Sequence, residues 1–223
     1  MLEKCPVCEL GEVYLFLRVK DLVYWRCPVC RATCLDPSQR PTPEKEYERY
    51  CQHDNDPADP GYRKFLSKLA HPLLEKLAPG SKGLDYGCGP GPALANMLEG
   101  CGHRMKIFDP FFYPDTSVLE QNYDFVTCTE VVEHFHRPFS EFVFLDGLLR
   151  PQGWLAVLTS FLTQDERFAN WRYRRDPTHV IFYAEETFFV LVEKLDWYCE
   201  IPCKDVVLMQ KIGQNARHKN SGY

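Results

Sequence analysis

Short apolar runs alternate along this chain with longer stretches whose apolar residues recur at helical spacing. The alternation is regular from residue 82 onward. The runs over 82–86, 104–108, 123–129 and 154–159 read as strands. Between and after them, 92–98, 138–149 and 185–194 carry a helical pattern, with Pro92 suited to a first helical position. Pro151-Gln152-Gly153 predicts a turn before the 154–159 strand, and 197–201 with 205–211 predicts a terminal hairpin. Upstream, 44–52 and 62–77 read as helices separated by the turn-rich stretch 54–61, and Pro79-Gly80 stops the second. Apolar runs over 13–17 and 22–25 predict a small hairpin near the start of the chain. Strands that alternate with helices imply an α/β fold with a mostly parallel sheet. Residues 214–223 are polar and are expected to form a flexible tail.

Composition narrows this picture. At 223 residues, 45% hydrophobic and 26% charged, the chain suits a globular α/β domain with one small appendage. No apolar run approaches the ~20 residues of a membrane span. The first residues, Met1-Leu2-Glu3-Lys4-Cys5, lack the apolar core of a signal peptide. A cytoplasmic protein without membrane contact is therefore expected, and its 11 cysteines are then thiols or metal ligands. The net charge of −5 disfavours general binding to nucleic acid.

The cysteines show a pattern. Cys5-Pro6-Val7-Cys8 and Cys27-Pro28-Val29-Cys30 repeat one knuckle across a gap of 18 residues. Two residues between cysteines let both sulfurs face one ion, and this spacing is that of a structural zinc ribbon. Residues 1–40 are expected to form that ribbon, with Cys5, Cys8, Cys27 and Cys30 as ligands. So short a segment needs the metal to fold. Four thiolates close the coordination sphere, so the zinc is structural and Cys34 is left as a core or surface residue. Residues 41–61, opened by the proline-rich 37–43, are expected to be a linker and a lid, and 62–213 the main domain.

The richest motif is Leu84-Asp85-Tyr86-Gly87-Cys88-Gly89-Pro90-Gly91, a strand that runs into a glycine turn and then a helix. Glycine lets backbone approach a ligand where a Cβ would collide, and a helix N-terminus adds unpaired N–H groups. Asp109, about 20 residues on, stands where an acid can bind ribose hydroxyls. With its GxGxG spacing this stretch resembles motif I of the class I S-adenosylmethionine methyltransferases. The stretch 123–134, ending Glu130-Val131-Val132-Glu133-His134, is similar to the family's fourth-strand motif, and 148–155 to the turn before its fifth strand. The Glu-His pair and the segment 176–183 resemble the ubiquinone-pathway O-methyltransferases and the sugar C-methyltransferases, some of which carry an N-terminal zinc module. The resemblance implies a Rossmann-like sheet with an antiparallel last strand, and S-adenosylmethionine as methyl donor. It also implies Asp85, Gly87, Gly89, Gly91 and Asp109 as cofactor-binding positions; Glu130 is a further cofactor-binding candidate, with ordering of the loop as its alternative.

One departure from the family stands out. Only Pro110 to Asn122 separates Asp109 from the 123–129 strand, too little for the family's helix, third strand and second helix. Adenine is left either to Asp115-Thr116-Ser117 in a shortened loop or to packing on Phe111 and Phe112. His134 follows the fourth strand of the family's sheet and His179 lies after the fifth, so the resemblance brings both to the acceptor. Each is a candidate base, with His179 favoured, for a small-molecule hydroxyl or carbon acid. A histidine capping a helix or bonded to a loop carbonyl is the alternative for each. Glu133, like Glu130, either accepts from the cofactor or orders the loop, and His136 is expected to be exposed. Arg167, Arg172, Arg174 and Arg175 alternate with Phe168, Trp171 and Tyr173. They suit either phosphate and base binding or a segment with aromatics inward and arginines solvated. RNA or protein substrates, and a non-catalytic cofactor-binding module, remain alternatives to a small-molecule acceptor. The ribbon's nearly balanced charges weigh against RNA.

Overall fold

The computed structural model describes residues 3–52 and 55–212. The expected tail, 214–223, and His53 of the linker lie outside the described residues. Along the chain, β1 (Tyr14–Val19), β2 (Leu22–Arg26) and β3 (Thr33–Leu35) lead through α1 (Pro43–Tyr50) and α2 (Pro60–Leu74) into β4 (Lys82–Tyr86). Then follow α3 (Ala93–Gly100), β5 (Arg104–Phe108), β6 (Tyr123–Thr129), α4 (Pro138–Leu148), β7 (Leu149–Leu158) and α5 (Asp165–Phe168). β8 (Ile181–Phe182), α6 (Glu185–Leu195), β9 (Trp197–Cys203) and β10 (Val206–Lys211) complete the order.

The main sheet has six strands in the order β5-β4-β6-β7-β10-β9. β5, β4, β6 and β7 are parallel, and β10 runs antiparallel to both its neighbours. This is the mostly parallel α/β sheet with an antiparallel last strand. It ends at β5 because the residues between Asp109 and β6 form only a loop and a short 3-10 helix, Thr116–Glu120. Both faces are covered, so the central strands are apolar on both sides rather than alternating. On one face Leu66, Leu69 and Leu73 of α2 and Leu94 and Leu98 of α3 pack against Phe125, Ala156 and Leu208. On the other, Phe142 and Leu145 of α4 and Phe188 and Leu191 of α6 pack against Val126, Leu155 and Val207. Each such fully buried side chain contributes roughly 1.5–3 kcal/mol before entropy is subtracted.

Local differences from the sequence pattern are small and have physical causes. The second predicted helix spans Pro60–Leu74 rather than 62–77: Asp59 caps it by accepting from Tyr62 N–H, which moves the start upstream. The turn expected at 151–153 is absorbed into β7, whose edge there keeps Gln152 at φ 67°. α4 stops at Leu148 for the same reason. Among the described residues no helix is long and apolar enough to cross a membrane.

The second sheet is antiparallel, in the order β1-β2-β3-β8. Its fourth strand was not foreseen, since it comes from far along the chain. Thr33 pairs with Phe182 and Cys34 with Ile181, and Leu35 N–H donates to Val180 O (2.9 Å). The cysteine-bearing segment therefore shares a sheet with the residues that follow His179. Three further bonds grip the knuckles: Phe139 N–H to Pro6 O, Thr187 Oγ1 to Cys30 O and Lys194 Nζ to Cys8 O.

Candidate active site

The C-terminal ends of β4, β5 and β6 meet at one edge of the sheet, where open α/β sheets bind their ligands. A cavity of about 670 Å³ opens there. Gly87 and Gly89 form its floor at φ +75° and +64°, a region that side chains disfavour. A Cβ on Gly87 would stand 2.6 Å from Val131 Cγ2, and one on Gly89 2.9 Å from Asn55 Nδ2. Gly91 does not line the cavity. A Cβ there would fall 2.0 Å from Asn55 O, so its bareness lets the segment at 55–57 cross the turn.

The two aspartates of this region act differently. Asp109 lines the cavity, and its carboxylate accepts from the N–H groups of Gly89 (3.0 Å), Phe111 (2.9 Å) and Phe112 (3.1 Å). It therefore shapes the glycine turn as well as facing the space beyond. Asp85 lies behind the turn, buried, accepting from Thr127 Oγ1 (2.7 Å) and from the Ala95 N–H. Burial pushes its carboxyl up to about 6. Of the adenine candidates, Phe111 and Phe112 line the cavity, whereas Asp115 caps Ser117 N–H on the exposed side of the loop.

The residues present fit a polar ligand. Thr129 Oγ1 and Glu130 Oε1 sit buried on the cavity wall without a hydrogen-bond partner among the described residues. Glu130 holds φ 53°, a left-handed conformation costing of order 1–3 kcal/mol for such a residue, which turns its side chain off the end of β6. Burial and the nearby Glu133 carboxylate raise its pKa to about 9.

Over the cavity lies α1. Tyr47 packs against Phe111 and Phe112 (ring centroids 5.7 and 5.9 Å), and Tyr50 against Phe111 and His134 (5.6 and 5.2 Å). Arg49 forks onto Asp176 Oδ2 (2.9 and 2.7 Å), and Glu46 meets His136 Nε2 (2.9 Å). His136 is thus half-exposed and tied to the helix rather than free.

At the other end the two predicted histidines come together, their rings 4.8 Å apart. His134 Nδ1–H donates to Thr178 O (2.9 Å). A carbonyl only accepts, so the proton sits on Nδ1 and Nε2 is left with its lone pair. Burial lowers the pKa of His134, keeping it neutral at pH 7. His179 packs against Tyr173, the ring centroids 4.1 Å apart and the planes tilted by 58°. Behind them Glu133 is fully buried, accepting from Thr159 Oγ1 (3.0 Å) and from Tyr173 Oη. Ligand atoms of Glu133, His134 and His179 all lie within 4.8 Å of one another, close enough for the carboxylate to compensate a proton taken up by either ring.

Tyr173 and Thr159 were not singled out from the sequence as partners of Glu133. Thr159 follows the last residue of β7, the one available signal. Tyr173 was legible only as part of the basic-aromatic cluster. In that cluster Phe168 is buried and Arg167, Arg172 and Arg175 are exposed, the inward-aromatic arrangement. Arg174 departs from it: buried, it donates to Tyr24 Oη (3.0 Å) and Ala169 O (2.8 Å), pinning this segment to β2.

The four knuckle cysteines form a separate centre. All are fully buried, with Cys5 Sγ 3.6 Å from Cys30 Sγ and Cys8 Sγ 3.7 Å from Cys27 Sγ. Four sulfurs about 2.3 Å from a tetrahedral zinc stand about 3.8 Å apart, whereas a disulfide needs about 2 Å. The donor set therefore fits zinc. Cys34 is buried in β3, outside that set.

The profile of a methyltransferase-domain family matches residues 52–200. Among solved structures the chain is similar to the N-methyltransferase NodS from Bradyrhizobium japonicum WM9 in complex with S-adenosyl-L-homocysteine. Identity is 17%, the match covers 78% of this chain and 97% of that one, and the TM-score is 0.49. Magnesium protoporphyrin IX methyltransferase from Synechocystis PCC 6803, with bound S-adenosylmethionine, matches at 13% identity over 76% and 92%, TM-score 0.49. An O-methyltransferase family protein from Burkholderia thailandensis matches at 14% identity over 76% and 63%, TM-score 0.47. The chain spans 63% of the length of the last, and 44% and 54% of two further structures it matches. Among curated proteins none matches this sequence.

Proposed function

The chain belongs to the class I S-adenosylmethionine-dependent methyltransferases, and we propose that it methylates a hydroxyl or an acidic carbon of a small molecule in the cytoplasm. The observation that carries this reading is the imidazole pair beside a glycine-floored cavity that α1 roofs over. A roofed cavity suits a small acceptor and keeps water from the reaction.

S-adenosylmethionine supplies an electrophilic methyl group on a sulfonium. Gly87 and Gly89 would admit its backbone-hugging part, Asp109 its ribose, Glu130 and Thr129 its polar edge, and Phe111 and Phe112 its adenine. His134 and His179 receive the acceptor. With its proton fixed on Nδ1, His134 takes the acceptor's proton on Nε2, and Glu133 balances the imidazolium that forms. Tyr173 supports the His179 ring by packing against it. Zinc on Cys5, Cys8, Cys27 and Cys30 is structural, all four of its positions being filled by thiolate.

Two measurements test this. Titration with S-adenosylmethionine should give binding that Gly89→Val abolishes, since a branched side chain enters the floor at a disfavoured φ. On an acceptor found by labelled-methyl transfer, His134→Gln or His179→Gln should lower turnover about 100-fold while cofactor affinity stays near wild type. Normal turnover by both variants would mean that catalysis is alignment alone.

A further inference from the structure

Charge on the cavity wall has one sign. Five acidic residues from five separate stretches of chain line it: Glu46, Asp109, Glu130, Glu141 and Asp176. No lysine or arginine does, among the described residues. Of the nearby arginines, Arg49 pairs with Asp176, whereas Arg40, which does not line the cavity, donates from Nη1 to His136 O (2.6 Å) and leaves Nε and Nη2 buried without a hydrogen-bond partner among the described residues.

A count of charge with the cofactor in place follows from these partners. Arg49 balances Asp176, and His136, when protonated, balances Glu46. Glu130 is protonated at neutral pH, its pKa being raised to about 9 by burial and by Glu133. Asp109 and Glu141 remain. Asp109 accepts from three backbone N–H groups and Glu141 from the Tyr86 hydroxyl (3.2 Å). S-adenosylmethionine carries a sulfonium, an ammonium and a carboxylate, one net positive charge. The carboxyls of Asp109 and Glu141 face the cavity without a lysine or arginine, among the described residues, on its wall. In a partly desolvated space such groups favour a cation over an anion. Tyr50, Tyr86, Phe111, Phe112 and Phe135 also line the cavity, and an aromatic ring face attracts a cation.

We propose that the acceptor carries an ammonium group, which the acidic and aromatic wall binds, and that acceptors bearing phosphate or carboxylate are refused. The inference rests on the methyltransferase reading above. It deepens that reading by excluding nucleic acids and sugar nucleotides as substrates, since both would bring phosphate to a wall without a cation.

The test separates the two readings. Intact protein is first titrated with S-adenosylhomocysteine; absence of binding defeats both. Saturated protein is then titrated at low ionic strength with four probes that share one ring: phenethylammonium, 2-phenylethanol, phenylacetate and phenyl phosphate. Phenethylammonium should bind at least tenfold more tightly than either anion, and Glu141→Gln, checked for an intact melting transition, should narrow that ratio. A preference for either anion, no difference among the four, or an unchanged ratio in Glu141→Gln overturns the inference while leaving cofactor binding intact. Independently, protein incubated with methyl-labelled S-adenosylmethionine and a metabolite extract should yield, once the cationic donor has been separated from it, labelled product that a cation exchanger retains. Labelled product held by a strong anion exchanger at pH 8 overturns it.

Discussion

Asp85 shows that a motif fixes a residue's position along the chain without showing which way it faces. The glycine turn and the cysteine knuckles were legible because local spacing alone dictates what they can do. Asp85 stands inside that motif, yet the pleat of β4 turns it from the cavity towards Thr127 and the start of α3. Its folded pKa of about 6 lies above the unfolded value of about 3.9. The folded state thus binds this proton more tightly. Stability from the group is full below about pH 4 and is lost as pH rises through 6. At pH 8 the buried carboxylate costs roughly 2–3 kcal/mol. Asparagine keeps one carbonyl acceptor at this place and carries no charge. Asp85→Asn should therefore raise the melting temperature at pH 8 and leave it nearly unchanged at pH 4. An equal effect at both values would show that Asp85 is not a buried, desolvated acid. Glu133 was equally opaque in sequence: its partners Thr159 and Tyr173 lie 26 and 40 residues away, and only the fold brings them to it.

Among the elements, the strands and helices of the main sheet were read closely from their periodicity, because long runs average over local noise. β3 and β8 were not. They hold three and two residues, too few for any period, and their pairing joins positions 33–34 to 181–182. α1 was expected only as a helix in a lid segment. Its latches could not be foreseen, since Asp176 and His136 lie far along the chain. The fork from Arg49 onto Asp176 holds α1 to the same loop that carries His179. Arg49→Ala should raise hydrogen exchange over 43–50 and speed cofactor release several-fold in stopped-flow measurements. If neither changes, α1 is a fixed wall rather than a latched cover.

For the whole molecule, the shared sheet makes the cysteine centre and the histidine corner one mechanical unit. Val180 accepts from Leu35 on one side and donates to Glu133 O on the other, so residues 178–182 are held between the two. Elemental analysis should find about one zinc per chain. Its removal by a chelator should raise hydrogen exchange over 14–35 and over 178–183 together, and leave 82–129 protected. Protection at 178–183 that survives chelation would show the two regions to be independent.

The pairing of β3 with β8 also has a consequence for synthesis. The cysteine-bearing segment is synthesised well before the strand that completes its sheet, which arrives only with residue 182. At 5–20 residues per second the wait is roughly 7–30 s. Throughout that interval β3 offers a bare edge of unpaired N–H and C=O groups to any passing strand. A metal captured early by the four thiolates would hold the nascent hairpin closed until its own partner is made. The time at which zinc becomes available would then decide whether chains reach the native sheet or pair with one another.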